Sequence, residues 1–104
     1  MTTLRILDGK AGITQSITST NTAQSLASSM LTNSAGKRSN GSIITCETND
    51  IRYSFNATPT QAGLGHTLEA GSTIILNHPQ MVGMFKFISS ASGVHATLQV
   101  TPII

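Results

Sequence analysis

The sequence has no tryptophan, a single cysteine and few charges, and each shortage removes a class of protein. With Cys46 alone, a disulfide-stapled scaffold is excluded. One unpaired cysteine fits a reducing compartment. Charged residues make up 10% of the 104 positions while 38% are hydrophobic, so charge-driven disorder is excluded. No apolar run approaches the ~18 residues of a membrane-spanning helix. The aromatic side chains are Tyr53, Phe55, Phe85 and Phe87. That is a thin supply of large groups for a core, and no platform for stacking sugars or bases.

Small hydroxyl side chains fill the gap, with 13 Ser and 15 Thr in the chain. Threonine is β-branched and favours extended backbone. Six basic residues against four acidic give a formal charge of +2. The basic residues are scattered, and only Lys37 and Arg38 adjoin. Nucleic-acid binding needs clustered cations, so it is not expected. Met1–Lys10 carries charge but is not followed by the apolar stretch of a secretion signal, so synthesis in the cytoplasm is expected. The sequons at Asn40 and Asn56 then read as chance in a Ser/Thr-rich chain.

The length suits one domain, 1–104, and no linker or internal repeat divides it. Leu4 and Ile6 alternate with Arg5 in a Thr2–Leu7 strand that ends at the Asp8-Gly9 turn. Ile13, Gln15 and Ile17 line one side of a polar strand. Residues 19–42 form a polar loop or arm. Within it, Leu26, Met30 and Leu31 suit either a short helix or a broken strand. Residues 33–41 are the candidate mobile loop, and Asn40-Gly41 turns into an extended run through Glu47. Asn49-Asp50 reads as a tight turn. Ile51, Tyr53 and Phe55 alternate with Arg52 and Ser54 in a half-buried strand. His66–Leu68 and Thr73–Leu76 are short strands. Asn77–Gln80 breaks the chain before a strand over Met81–Ile88, with Phe85 and Phe87 on one face. Val94, Ala96, Leu98 and Val100 mark the last strand. Seven or eight short strands predict an all-β fold: a small antiparallel β-sandwich or jelly-roll-like barrel with one long polar loop.

No catalytic, cofactor or metal residue is assigned. There is no G-x-S-x-G elbow for a serine nucleophile. His66, His78 and His95 lack ligand spacing. Gly63–Leu68 starts as G-x-G but lacks the third glycine and the strand–helix context of a dinucleotide site. Cys46 lies in an apolar run and reads as a buried, inert thiol. His66, Glu69 and Gly71 stand out as a turn motif, with hydrogen bonds from His66 and Glu69 to the backbone and a left-handed Gly71. The alternative for this cluster is a contact between subunits.

A resemblance enters at the same residues. Ile51-Arg52-Tyr53-Ser54-Phe55, Thr58-Pro59-Thr60, Gly65-His66 and Leu68-Glu69-Ala70-Gly71 resemble small β-rich structural proteins of tailed-bacteriophage virions. Met84–Ile88 and Ala96–Thr101 fit the closing strands of that pattern, which spans Ile51–Thr101. The resemblance implies a non-enzymatic head decoration, or cement, protein on the capsid surface, bound to the major capsid protein. Head–tail joining and a tail- or fibre-associated recognition domain are the alternatives. No cofactor, nucleic acid or membrane is expected as a partner, and self-association as a trimer at a local three-fold is. Arg5, Lys37, Arg38 and Arg52 are the candidate interface residues, and Met1–Lys10 and 19–42 the candidate contact segments.

Overall fold

The computed structural model describes residues 12–26, 40–61 and 63–103. The expected Thr2–Leu7 strand, the Asp8-Gly9 turn, nearly all of the 33–41 loop, and Arg5, Lys37 and Arg38 lie outside that range.

The chain forms two four-stranded antiparallel sheets packed face to face, an all-β sandwich. Its strands are β1 (Gln15–Thr18), β2 (Gln24–Ser25), β3 (Gly41–Glu47), β4 (Ile51–Phe55), β5 (His66–Leu68), β6 (Thr73–Leu76), β7 (Phe85–Ser89) and β8 (Thr97–Ile103). One sheet, A, has the order β1-β8-β3-β6; the other, B, has the order β2-β7-β4-β5. Only β4 and β5 follow one another within a sheet, and every other connection passes from one sheet to the other. The Asn49-Asp50 turn is therefore no hairpin: it carries the chain from β3 in sheet A to β4 in sheet B. Thr48 takes a left-handed φ of 73° there, and the Cys46 thiol donates to the Asn49 carbonyl at 3.0 Å.

Strand alternation supplies the core. Ile51, Tyr53 and Phe55 of β4 and Phe85 and Phe87 of β7 point inward from sheet B. Ile44 and Cys46 of β3, Leu98 and Val100 of β8, and Ile74 and Leu76 of β6 meet them from sheet A. The Phe85 ring lies 5.5 Å from Tyr53, 6.0 Å from Phe55 and 5.8 Å from Phe87, so one cluster holds every aromatic ring of the chain except the histidines.

Three expectations change. The strand expected over Met81–Ile88 is a helix, α1 (Pro79–Met84), followed by β7. His78 Nδ1 accepts the Gln80 N–H at 3.1 Å, and Pro79 is preset for a first helical turn. Val82 is then buried against the core. The last strand starts at Thr97 instead of Val94, which is 37% exposed and bridges to Ala91 around Gly93 at φ 75°. Ile13 precedes β1 and is 78% exposed, while Ile17 does pack on the core. The described ends of the 19–42 stretch belong to the sandwich. Ser19 and Leu26 are buried, Gln24-Ser25 pair with β7, and β3 begins at Gly41.

Phe85→Ala removes the central ring of the cluster and is expected to cost about 3–5 kcal/mol. Urea unfolding followed by circular dichroism checks this. A cost below about 1 kcal/mol contradicts the placement of Phe85 between the sheets.

Candidate functional site

The two outward faces of the sandwich differ. On sheet B, the outward residues are Arg52 and Ser54 of β4, Lys86 and Ile88 of β7, Thr67 of β5 and Ser25 of β2. The β4–β5 connection, residues 56–65, folds against them. Ser54 Oγ donates to the Ala57 carbonyl. The Arg52 guanidinium donates to the carbonyls of Gly63 and Gly65, both at 3.2 Å. Pro59 is fully buried, and Ile88 is only 7% exposed although it points outward. A Cβ at Gly65 would lie 3.1 Å from the Tyr53 carbonyl and 3.3 Å from Pro59 Cβ, and its φ is 126°. Glycine is required there for both reasons. Arg52 is thus committed to its own loop, and that tie covers part of the outer face of sheet B, where Ser25 and Thr67 stay exposed.

On sheet A the outward residues come in register across the strands. Thr14, just before β1, stands with Thr101, Ile43 and Ile75. Ser16 stands with Gln99, Thr45 and Thr73. Thr18 stands with Thr97 and Glu47. These side chains hydrogen-bond to one another. Thr14 Oγ1 and Thr101 Oγ1 are 2.6 Å apart, and Thr45 Oγ1 and Thr73 Oγ1 are 3.0 Å apart. Ser16 Oγ donates to Gln99 Oε1 at 2.9 Å, and Gln99 Nε2 donates to Glu47 Oε1 at 3.1 Å. Glu47 is the single charge on this face among the described residues. Each hydroxyl keeps a lone pair or proton beyond these bonds. The result is a nearly neutral surface of hydroxyls with Ile43 and Ile75 among them, and no described segment covers these rows as 56–65 covers part of sheet B; in the next row of the same face Gly41 and Ile103 are buried. The threonine count was visible in the sequence. The face was not, because strand order decides which threonines share it.

The turn motif is built differently from its expectation. Gly71 has φ 88°, and Ser72 N donates to the Glu69 carbonyl at 3.0 Å, a type II turn. The side chain that closes it is Asp50, whose Oδ1 accepts the Ala70 N–H at 2.8 Å, and not His66 or Glu69. The His66 ring instead lies against Tyr53 across the β4–β5 pair, at 5.5 Å. Of the four candidate interface cations, only Arg52 is described, and it faces its own loop.

Among the described residues, one serine–histidine pair is hydrogen-bonded. Ser89 Oγ lies 2.7 Å from His95 Nδ1 and 2.7 Å from Ser19 Oγ, which accepts the Ala96 N–H at 2.8 Å. Ser19 and Ser89 are both 0% exposed, so neither oxygen meets a substrate from solvent. The chain ties the β1–β2 connection and the 89–96 turn together at one end of the sandwich. It satisfies two buried hydroxyls there. Among the described residues, no group of His, Cys, Asp and Glu is placed to hold a metal ion.

Cys46 is fully buried. Burial pushes its thiol up from the usual 9.0 to about 11, and the Asp50 carboxylate adds to the rise. Below pH 9 both folded and unfolded chains keep this proton. Between about 9 and about 11 the unfolded chain releases it while the folded chain does not, so Cys46 favours unfolding as pH rises through that window. Unfolding free energies from pH 8 to 11 are expected to fall less steeply for Cys46→Ala than for the parent chain. Superposable slopes contradict the buried thiol. No protein-family model, curated protein or solved structure matches the chain.

Proposed function

We propose that the chain is a non-enzymatic structural protein of a tailed-phage virion. In this reading it decorates or cements the capsid, and the outer face of sheet A docks on the lattice of the major capsid protein. The observation that carries the reading is the asymmetry of the sandwich: one outer face is partly covered by its own loop through Arg52, Ser54 and Pro59, and the other carries hydrogen-bonded hydroxyls that no described segment covers. A neutral array contributes no long-range steering. It binds by hydrogen bonds and close contact, and such contacts resist salt. Single contacts of this kind are weak, and a shell that repeats them many times adds avidity where copies are linked. The resemblance of Ile51–Thr101 to phage virion proteins supplies the partner class. Among the described residues, the same face offers no cluster of cations to follow a phosphate backbone. No described helix is long and apolar enough to cross a membrane.

A tail-associated recognition domain is the second reading. The feature that favours it is the half-buried Tyr53 ring beside the exposed His66, with Leu64 53% exposed in the adjoining loop.

Co-sedimentation with empty shells, assembled from the major capsid protein of the same genome, tests the first reading. The chain is expected to pellet with shells equally well at low and high salt. Thr45→Lys and Thr97→Lys, on the hydroxyl face, are expected to weaken binding about tenfold or more, equivalent to ~1.4 kcal/mol. Thr67→Lys, on sheet B, is expected to bind as the parent does. Failure of the parent chain to pellet contradicts the reading.

A further inference from the structure

The strands at the sheet margins are β1 and β6 in sheet A and β2 and β5 in sheet B. A margin strand presents backbone N–H and C=O groups with no neighbour, and folded proteins blunt it with charge, proline or short length. β2 has two residues and β5 has three. β1 is polar, Gln-Ser-Ile-Thr. β6 is different. It reads Thr73-Ile74-Ile75-Leu76, without charge or proline, and three of its residues are β-branched.

The direction of its free groups follows from the ladder. Cys46 N donates to the Ser72 carbonyl at 2.9 Å, so Ser72, Ile74 and Leu76 turn their backbone groups toward β3. Thr73 and Ile75 therefore turn theirs away from the sheet. Among the described residues these outward groups have no partner.

We propose that β6 pairs with β6 of a second copy, antiparallel, about a two-fold axis perpendicular to sheet A. In this register Thr73 of one copy stands opposite Ile75 of the other, and each such pair exchanges two backbone hydrogen bonds. Ile74 stands opposite its own copy. An identical neutral strand is a fitting occupant, because the pattern of free groups on Thr73 and Ile75 is complementary to itself under a two-fold and no charge is brought together.

Area gives a second argument, which rests on the shell-docking reading. Four strands about 4.8 Å apart and roughly 20 Å long make a face of about 400 Å². A standard interface takes ~800 Å² from each partner. Pairing through β6 joins two sheets A into one eight-stranded sheet with both hydroxyl faces on the same side, which brings the docking surface to about that size.

Sedimentation equilibrium of the full chain without shells tests the pairing. Mass is expected to rise from one copy toward two as concentration increases. Ile75→Pro removes an outward N–H and leaves the bonds to β3 in place, so association is expected to weaken at least tenfold. Ile74→Cys covers the case in which the proline variant does not fold. Opposed Cβ atoms at such a position lie about 4.5–5.5 Å apart, close to the reach of a disulfide. Mild oxidation is expected to give a covalent dimer of Ile74→Cys, while the parent chain, whose Cys46 is buried, gives none. A one-copy mass at every concentration, a three-copy mass, or an Ile74→Cys variant that does not cross-link overturns the proposal. A chain that stays single yet pellets with shells overturns the pairing and leaves the docking reading standing. A chain that pairs but ignores shells does the reverse.

Discussion

Phe85 touches three of the chain's few large side chains, and the rest of the sandwich is built around that contact. Its ring stacks on Tyr53 and approaches Phe55 and Phe87, so the aromatic rings of β4 and β7 form one block inside sheet B. Sheet A supplies no aromatic ring to the interface. It offers the smaller Ile44, Leu98, Val100 and Leu76, all buried against that block. A core of this kind has little surplus, because burial scales with area and small domains bury less of their surface. The ends of the sandwich are accordingly held by polar ties: Asp50 to Ala70, Asn49 to the His95 carbonyl, and the Ser19–Ser89–His95 chain.

With the inner faces committed to the core, the outer faces remain, and among the described residues only sheet B is covered in part by a loop. The described residues of 56–65 are tied to sheet B through Arg52 and Ser54, and Pro59 of that loop is fully buried. The outer face of sheet A carries the methyl and hydroxyl groups of Thr14, Thr18, Thr45, Thr73, Thr97 and Thr101, with the half-buried Ile43 and Ile75 among them. A surface of this composition is stable when bare and still able to exchange its water for a partner's hydrogen bonds.

The period-2 strands were legible wherever apolar and polar residues alternate cleanly. β4, β5 and β6 stand where Ile51–Phe55, His66–Leu68 and Thr73–Leu76 placed them, and β8 keeps the expected alternation from Thr97 onward. Alternation failed where a local signal outweighed it. His78 and Pro79 start a helix inside an apolar run that reads equally well as a strand, and Gly93 detaches Val94 from the strand that follows. Long-range partners were out of reach for a different reason. Arg52 looked like a free cation because its acceptors, Gly63 and Gly65, are backbone carbonyls that carry no sequence signature. The role of Asp50 has no sequence signature either, because its target is a backbone N–H twenty positions away. The hydroxyl face is the clearest case, since its threonines are distributed over β1, β8, β3 and β6, strands that are neighbours in space but not in sequence.

The most direct test of the central claim is an electron cryomicroscopy reconstruction of shells saturated with the chain. Added density is expected in which the β1-β8-β3-β6 sheet lies against the shell, with Thr45, Gln99 and Thr101 at the contact and the 56–65 loop facing solvent. Density with the 56–65 loop against the shell and the hydroxyl face in water contradicts it, as does a reconstruction with no added density.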